Sequence, residues 1–271
     1  MLVFLVASGV AIFVIYYFKT ELREGYAQAG RAAAPLKSVV LPVPPQYREI
    51  LQKYFPYYQK LKESDKVKFE RKVCNFLYGK RFIPRDIDEV TVEAKVLIAA
   101  TAVQITFGLP DVYLRHFNKI LVYPDEYYSV LFRRYHKGEV NPRFGVIVLS
   151  WQSFVDGMIY PRDAKNLGLH EMAHALRLEN MIRSDEYPLF DEKLLEEFDE
   201  HARNVCTNIE NWSDTFFRPY ACANEHEFFS VSIEHFFERP EDLKNEMPQL
   251  YIILVKLLNQ DPLLLREGIE V

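Results

Sequence analysis

The stretch LGLHEMAHALRLEN, residues 167–180, carries His170-Glu171-x-x-His174. On a helix, residues four apart lie on one face, one turn above the other. At that spacing two imidazoles can share one tetrahedral zinc ion, each at about 2.0–2.1 Å. Glu171 projects to the adjacent side, where it can face a zinc-bound water without taking a coordination position. Chance is the competing explanation, but the placement argues against it. Leu169, Met172, Ala173 and Leu176 set the pattern in a helix that follows an apolar strand. Two neighbouring histidines would repel when both are charged, and a shared metal gives them a reason to be together.

A catalytic zinc takes three protein ligands and keeps one position open. The longer pattern that adds a third histidine six residues on is absent, so the third ligand must come from farther along the chain. His201, Glu225, His226, Glu227, Glu234 and His235 are the candidates. Glu227 is favoured, because Phe228 and Phe229 would bury it and an isolated buried carboxylate is costly unless a cation neutralises it. A second explanation stays open: Asn224-x-x-Glu227 also fits a capping box, in which Glu227 only binds its own helix terminus. Glu234 lies two turns further on the same face. It either orients a histidine or is a polar residue of that face.

The elements that must position these groups read as mainly helical with a small sheet. Ser64 can cap a helix with apolar positions Val67, Phe69, Val73, Phe76 and Leu77. Val90–Phe107 reads as a buried core helix, capped by Thr91 and ended by Gly108, since Glu93 and Lys95 interrupt it too soon for a membrane span. Residues 119–123 (KILVY) and 145–151 (GVIVLSW) read as short strands, and the second, if it is an edge strand beside the cleft, could bind an extended peptide by β-addition. Residues 191–204 form a helix with a solvated acidic face opposite Leu194, Leu195, Phe198 and Ala202. Residues 224–237 carry a further helix.

With 271 residues, 49 % hydrophobic and 26 % charged, the chain is an ordinary globular one. The net charge of −5 and the lack of a Lys/Arg stripe argue against a nucleic-acid partner. Cys74, Cys206 and Cys222 are too few and too scattered for a disulfide framework and read as reduced thiols, which favours a reducing compartment.

The N-terminus differs in kind. Leu2–Phe18 is an uncharged apolar run that as a helix would reach roughly 26 Å, enough for a thin bilayer, with Tyr16 and Tyr17 at its interfacial end. Ala27-Gln28-Ala29 resembles a signal-peptide cleavage site, but no basic residue precedes the run and charged residues intervene. Lys19, Arg23, Arg31 and Lys37 all follow it, which predicts a single-pass anchor with the remainder cytoplasmic. Residues 34–45, APLKSVVLPVPP, read as a semi-rigid tether. The expected organisation is an anchor over 1–19, a juxtamembrane helix and Pro-rich tether over 20–45, and one folded domain over 46–271.

An ordered set of segments now carries a resemblance. FPYYQKLKESDKVKFERKVCNFLYGKRF (55–82), AKVLIAATAVQITFG (94–108), GVIVLSW (145–151), LHEMAHAL (169–176), YACANEHEFFSVSIEHFFERP (220–240) and NQDPL (259–263) together resemble the Mlc titration factor A family of zinc peptidases. That family is of the gluzincin type, with a catalytic domain similar to that of anthrax lethal factor. The likeness covers most of positions 55–263.

The resemblance implies an α+β, mainly helical zincin-like domain with a small sheet beside the metal helix. It implies one Zn²⁺ per chain on His170, His174 and Glu227, with Glu171 as catalytic glutamate. Tyr220 matches a tyrosine near the family's metal and would donate to an oxyanion. The implied activity is peptide-bond hydrolysis through a zinc-bound water with Glu171 as general base, in an enzyme of possible aminopeptidase type. The alternative it implies is a regulatory binding protein, since the family namesake sequesters a transcriptional repressor. Here such a protein would hold its partner at the membrane. A purely structural zinc would need a fourth protein ligand, and none is obviously placed to supply it. Arg177 stands where many members have an acidic residue, and residues 181–219 align loosely, so substrate preference does not carry over. Leu2–Phe18 lies outside the resemblance, because members of the titration-factor type are soluble.

Overall fold

A computed structural model of the protein describes residues 42–129, 133–183, 188–207 and 216–267. The expected anchor over 1–19 and the tether up to residue 41 lie outside the described residues. Among the described residues, no helix is long and apolar enough to cross a membrane.

Proline opens the first two helices, α1 (Pro45–Tyr54) and α2 (Pro56–Gln59), where its fixed φ suits the first turn and its missing N–H costs nothing. Helix α3 (Glu63–Tyr78) begins one residue before the expected cap. Lys62 holds the capping position but its side chain does not cap the helix, and Ser64 sits inside the first turn between Glu63 and Asp65. Those two carboxylates favour the positive end of the helix dipole, which replaces the cap.

Strand β1 (Arg81–Pro84) leads to α4 (Val92–Thr106), whose start is the expected one: the Thr91 hydroxyl accepts from Ala94 N at 3.1 Å. Val96, Ile98, Ala99, Ala100 and Ile105 point in all directions around α4 and are all fully buried, as a central core helix requires. Gly108 follows because a Cβ there would strike the backbone of Asn259.

The sheet is built from β1, β2 (Lys119–Tyr123), β5 (Gly138–Asn141) and β6 (Val146–Ser150) in the order β1-β2-β6-β5. The first three in that order run parallel, and β5 pairs antiparallel with β6. Phe82, Ile120, Ile147 and Val140 form one apolar row across all four. The edge position considered for this strand is not met: β6 is an inner strand, and among the described residues the sheet edge beside the helix of His170 and His174 is β5. The residues of β6 are almost wholly buried, as the apolar run VIVLS requires of a strand covered on both faces. The strands β3 (Tyr127–Ser129) and β4 (Arg134–His136) form a separate antiparallel pair.

Helix α5 (Trp151–Ile159) follows β6, and then come α6 (Leu167–Arg183) and α7 (Glu192–Thr207). A 3₁₀ turn (Pro219–Ala223) precedes α8 (Glu225–Glu238), and α9 (Pro240–Glu246), α10 (Pro248–Leu258) and α11 (Pro262–Glu267) complete the described chain. Helices α6 and α8 pack side by side, with α4 against α6 from within the core. Behind them Phe198, Phe228 and Phe229 meet at ring separations of 5.4–5.8 Å. Truncating any one of these buried rings to Ala costs about 3–5 kcal/mol, so they hold the frame under the site together.

The acidic face of α7 is solvated as expected, with one exception. Asp199 turns inward to Arg177, whose Nη2 donates to both carboxylate oxygens at 2.6 and 2.7 Å. A second correction concerns the cysteines. Cys206, near the end of α7, is disulfide-bonded to Cys222 in the 3₁₀ turn, while Cys74 is free and buried. Their Cα atoms lie 5.6 Å apart, inside the range a disulfide spans, although 16 residues separate them in sequence. The argument for a reducing compartment loses its premise.

Candidate metal centre

Asn166 sets the start of the metal helix. Its side-chain oxygen accepts from Leu169 N at 3.0 Å, and its carbonyl accepts from His170 N, so His170 lies in the first turn of α6. Asn224 does the same for α8, accepting from His226 N at 2.9 Å and from Glu227 N at 3.0 Å. The carboxylate of Glu227 then turns to α6. Of the two roles the sequence allows it, the structure displays the one facing the histidines.

Three atoms converge. Glu227 Oε2 lies 3.2 Å from His170 Nε2 and 3.3 Å from His174 Nε2, and the two nitrogens are 3.1 Å apart. Ligand atoms on a tetrahedral zinc at about 2.0–2.1 Å stand about 3.3–3.4 Å from one another. The triangle therefore has nearly the size that such an ion imposes. Buried Glu227 Oε2 makes no well-aligned hydrogen bond although both imidazole nitrogens face it within 3.3 Å, which leaves an acceptor of the kind a cation satisfies. Among the described residues, His170, His174 and Glu227 are the group of three His, Cys, Asp or Glu side chains that could hold a metal.

Glu234 orients one of these imidazoles. Its Oε1 faces His170 Nδ1 at 2.7 Å and accepts from Arg218 Nη2 at 2.6 Å, while Oε2 accepts from Asn166 N at 2.8 Å. A carboxylate so paired is acceptor only, so Nδ1 of His170 carries a proton and Nε2 is the ring nitrogen turned to His174 and Glu227. Burial opposes charge on His170, but Glu227, Glu234 and Glu171 outweigh it and lift its pKa to about 10. The same two imidazoles hold Glu227 far below the usual carboxylate range, against a burial effect that would raise it. The rise at His170 describes negative charge gathered around the imidazoles, of the kind that takes a cation.

Glu171 is buried, and burial foremost raises its pKa above the ordinary value, with Glu227 and Glu139 adding to the rise and the histidines opposing it. That is the direction a general base needs. Its carboxylate lies against Gly138 of the edge strand, where an added Cβ would collide with it. Tyr220 is half exposed, with its ring 6.2 Å from that of His170. Burial of its hydroxyl and the charge of Glu227 push its pKa well up, so it stays a donor. These groups line a cleft of about 480 Å³ whose wall also includes Lys137, Gly138 and Arg218.

The remaining candidates go elsewhere. His226 is partly buried, and burial together with the charge of Arg177 lowers its pKa to about 4. His235 bonds Val231 O at 2.9 Å and packs against the rings of both Phe216 and Phe217. His201 is lowered by burial, and Glu225 pairs at the surface with Arg203. Arg177 does not line the cleft. Asn166 and Arg218 escaped the sequence reading. Asn166 does carry a capping signal just before the metal helix, whereas Arg218 has no local signal at all.

Comparison with known proteins agrees with this geometry. The profile of the family described as glucose-regulated metallo-peptidase M90 matches residues 31–258. An uncharacterized protein of Synechocystis is 28 % identical over 242 residues, covering 82 % of this chain and 86 % of the relative. Proteins named Mlc titration factor A are similar too. That of Pectobacterium atrosepticum is 27 % identical (77 % of this chain, 84 % of the relative), and that of Yersinia pestis is 26 % identical (80 % and 85 %).

Proposed function

The chain belongs to the glucose-regulated metallo-peptidase family M90, and from that premise we propose that it is a zinc-dependent peptidase acting through His170, His174, Glu227, Glu171 and Tyr220. The observation that carries this reading is the convergence of two imidazole nitrogens and an orphan carboxylate oxygen, 3.1–3.3 Å apart, beside a buried glutamate. Zinc on those three ligands would supply Lewis-acid polarisation of the scissile carbonyl and acidify a water at neutral pH.

The protein's own groups do the rest. Glu171, with its raised pKa, takes the proton of the attacking water and returns it to the leaving amine. Tyr220, kept protonated, donates to the oxyanion that forms on the carbonyl oxygen. Strand β5, the free edge beside Glu171, offers backbone groups to an extended peptide. Glu234 and Arg218 hold the His170 ring in its tautomer.

Glu171→Gln tests the base. Turnover of a fluorogenic peptide should fall by about 10²–10⁴-fold with zinc content unchanged. Retained turnover with zinc bound would defeat the assignment. Restriction to peptides with a free amino end, the aminopeptidase option, is part of the same proposal. N-acetylation of the peptide should then abolish cleavage, and unaffected cleavage would remove that option.

A second reading is favoured by the names of the relatives: a regulatory binding protein that sequesters a partner such as a transcriptional repressor. A Glu171→Gln bait separates the two. A stable partner that the wild-type protein never cleaves favours sequestration. Anchoring through Leu2–Phe18 with a cytoplasmic domain is a proposal resting on sequence alone. Release of the chain from membranes by alkaline carbonate would refute it.

A further inference from the structure

A second cavity of about 420 Å³ has its own buried acid, which the proposed chemistry leaves unused. Its walls are largely apolar, with Phe55, Tyr57, Met158, Leu169 and Phe237 among them, and Glu238 at the end of α8 also lines it. Its volume lies in the range of small-molecule sites, which combine apolar walls with a few placed polar groups.

Glu238 is only 6 % exposed and half satisfied. Its Oε1 accepts from Asn166 Nδ2 at 2.9 Å, and the amide of Ala164 also approaches the carboxyl, but Oε2 is buried without a hydrogen bond. Asn166 cannot turn to serve both oxygens. Its Nδ2 also donates to Gly157 O at 3.1 Å, its Oδ1 caps α6, and its backbone N–H is held by Glu234. No cationic side chain is hydrogen-bonded to Glu238 among the described residues, and burial raises its pKa to about 7. A buried carboxylate left in this condition is costly unless an outside cation or donor completes it. Lys60 and Arg162 are exposed residues of the same cavity wall, which favours a ligand whose outer end is neutral or anionic.

We propose that this cavity binds a small molecule made of a primary ammonium group and an apolar body, with the ammonium paired to Glu238 and the body against Tyr57, Met158 and Phe237. The site is separate from the metal centre, since none of His170, His174, Glu171 and Glu227 lines it.

Phenethylamine is the probe. The full chain, with isotope-labelled methionine methyl groups, is titrated with it while the methyl resonance of Met158 is followed. A saturable shift is expected, with affinity at least about tenfold weaker in Glu238→Gln, as befits loss of a hydrogen bond to a charged group. Phenethyl alcohol, the same body without the ammonium, should bind the wild-type chain as weakly. This comparison needs no variant and holds even if Glu238→Gln folds poorly. Acetohydroxamate, which competes for metals, should leave the Met158 shift unchanged. An unmoved Met158 resonance, equal affinity in Glu238→Gln, equal binding of amine and alcohol, or displacement by acetohydroxamate would each overturn the proposal.

Discussion

The two ends of α8 present the same group in opposite conditions. Glu227 in its first turn and Glu238 at its last residue are both carboxylates withdrawn from water, and burial alone raises the pKa of each. At Glu227 two imidazoles reverse that effect and drive the pKa far down, while Glu238 has an asparagine amide and remains near 7. Burial sets the cost of a charge, and the partners decide whether the charge persists. Glu234, midway along the same stripe, shows the satisfied case: Arg218, the Asn166 amide and His170 use both its oxygens.

The contrast can be broken most forcefully at its first-turn end. Glu227→Ala should abolish stoichiometric zinc and reduce peptide hydrolysis to background, measured by metal analysis after dialysis alongside turnover. Glu238→Gln should leave zinc content as it is. If both variants lose zinc equally, the two ends of the helix are not distinct. Glu234→Gln sharpens the middle case, since removing a partner that fixes a ligand's tautomer weakens zinc binding by about 10–100-fold without abolishing it. Competition with a chromogenic chelator would read this, and an unchanged affinity would deny Glu234 its orienting role.

The smallest effect concerns pH. The folded pKa of Glu238 is about 7 against an ordinary 4.5, so the folded chain keeps a proton there that the unfolded chain releases. Its contribution to stability is therefore complete below about 4.5 and is lost as pH rises to about 7, with nothing further lost above that. At about 1.36 kcal/mol per pKa unit, the loss is on the order of 3 kcal/mol. Urea unfolding at a series of pH values should show this decline in the wild type and not in Glu238→Gln. Parallel profiles would place the Glu238 carboxyl in contact with water.

Local signals were readable in the sequence and distant pairings were not. Thr91 capping α4, the apolar runs of β2 and β6, and the helical face that brings His170 next to His174 each depend on residues within a turn or a strand of one another. The carboxylate that meets the two histidines was readable only as one of a short set of candidates, because Glu227 lies 53 positions after His174 and its cap at Asn224 fits either role. Asn166 and Arg218 were missed, since their value lies in Glu234 and Glu238, residues of another helix. The inner position of β6 depends on which strand pairs beside it, and the Cys206–Cys222 bond on how α7 returns to the 3₁₀ turn. Both are facts of topology with no local trace.

Everything at the candidate site follows from the meeting of His170, His174 and Glu227. X-ray absorption at the zinc edge of the zinc-loaded full chain tests this directly. Two imidazole nitrogens, one carboxylate oxygen and one exchangeable oxygen around each zinc are predicted, with the carboxylate contribution lost in Glu227→Ala. A shell containing sulfur, a shell of four protein ligands, or one indifferent to Glu227→Ala would contradict the account.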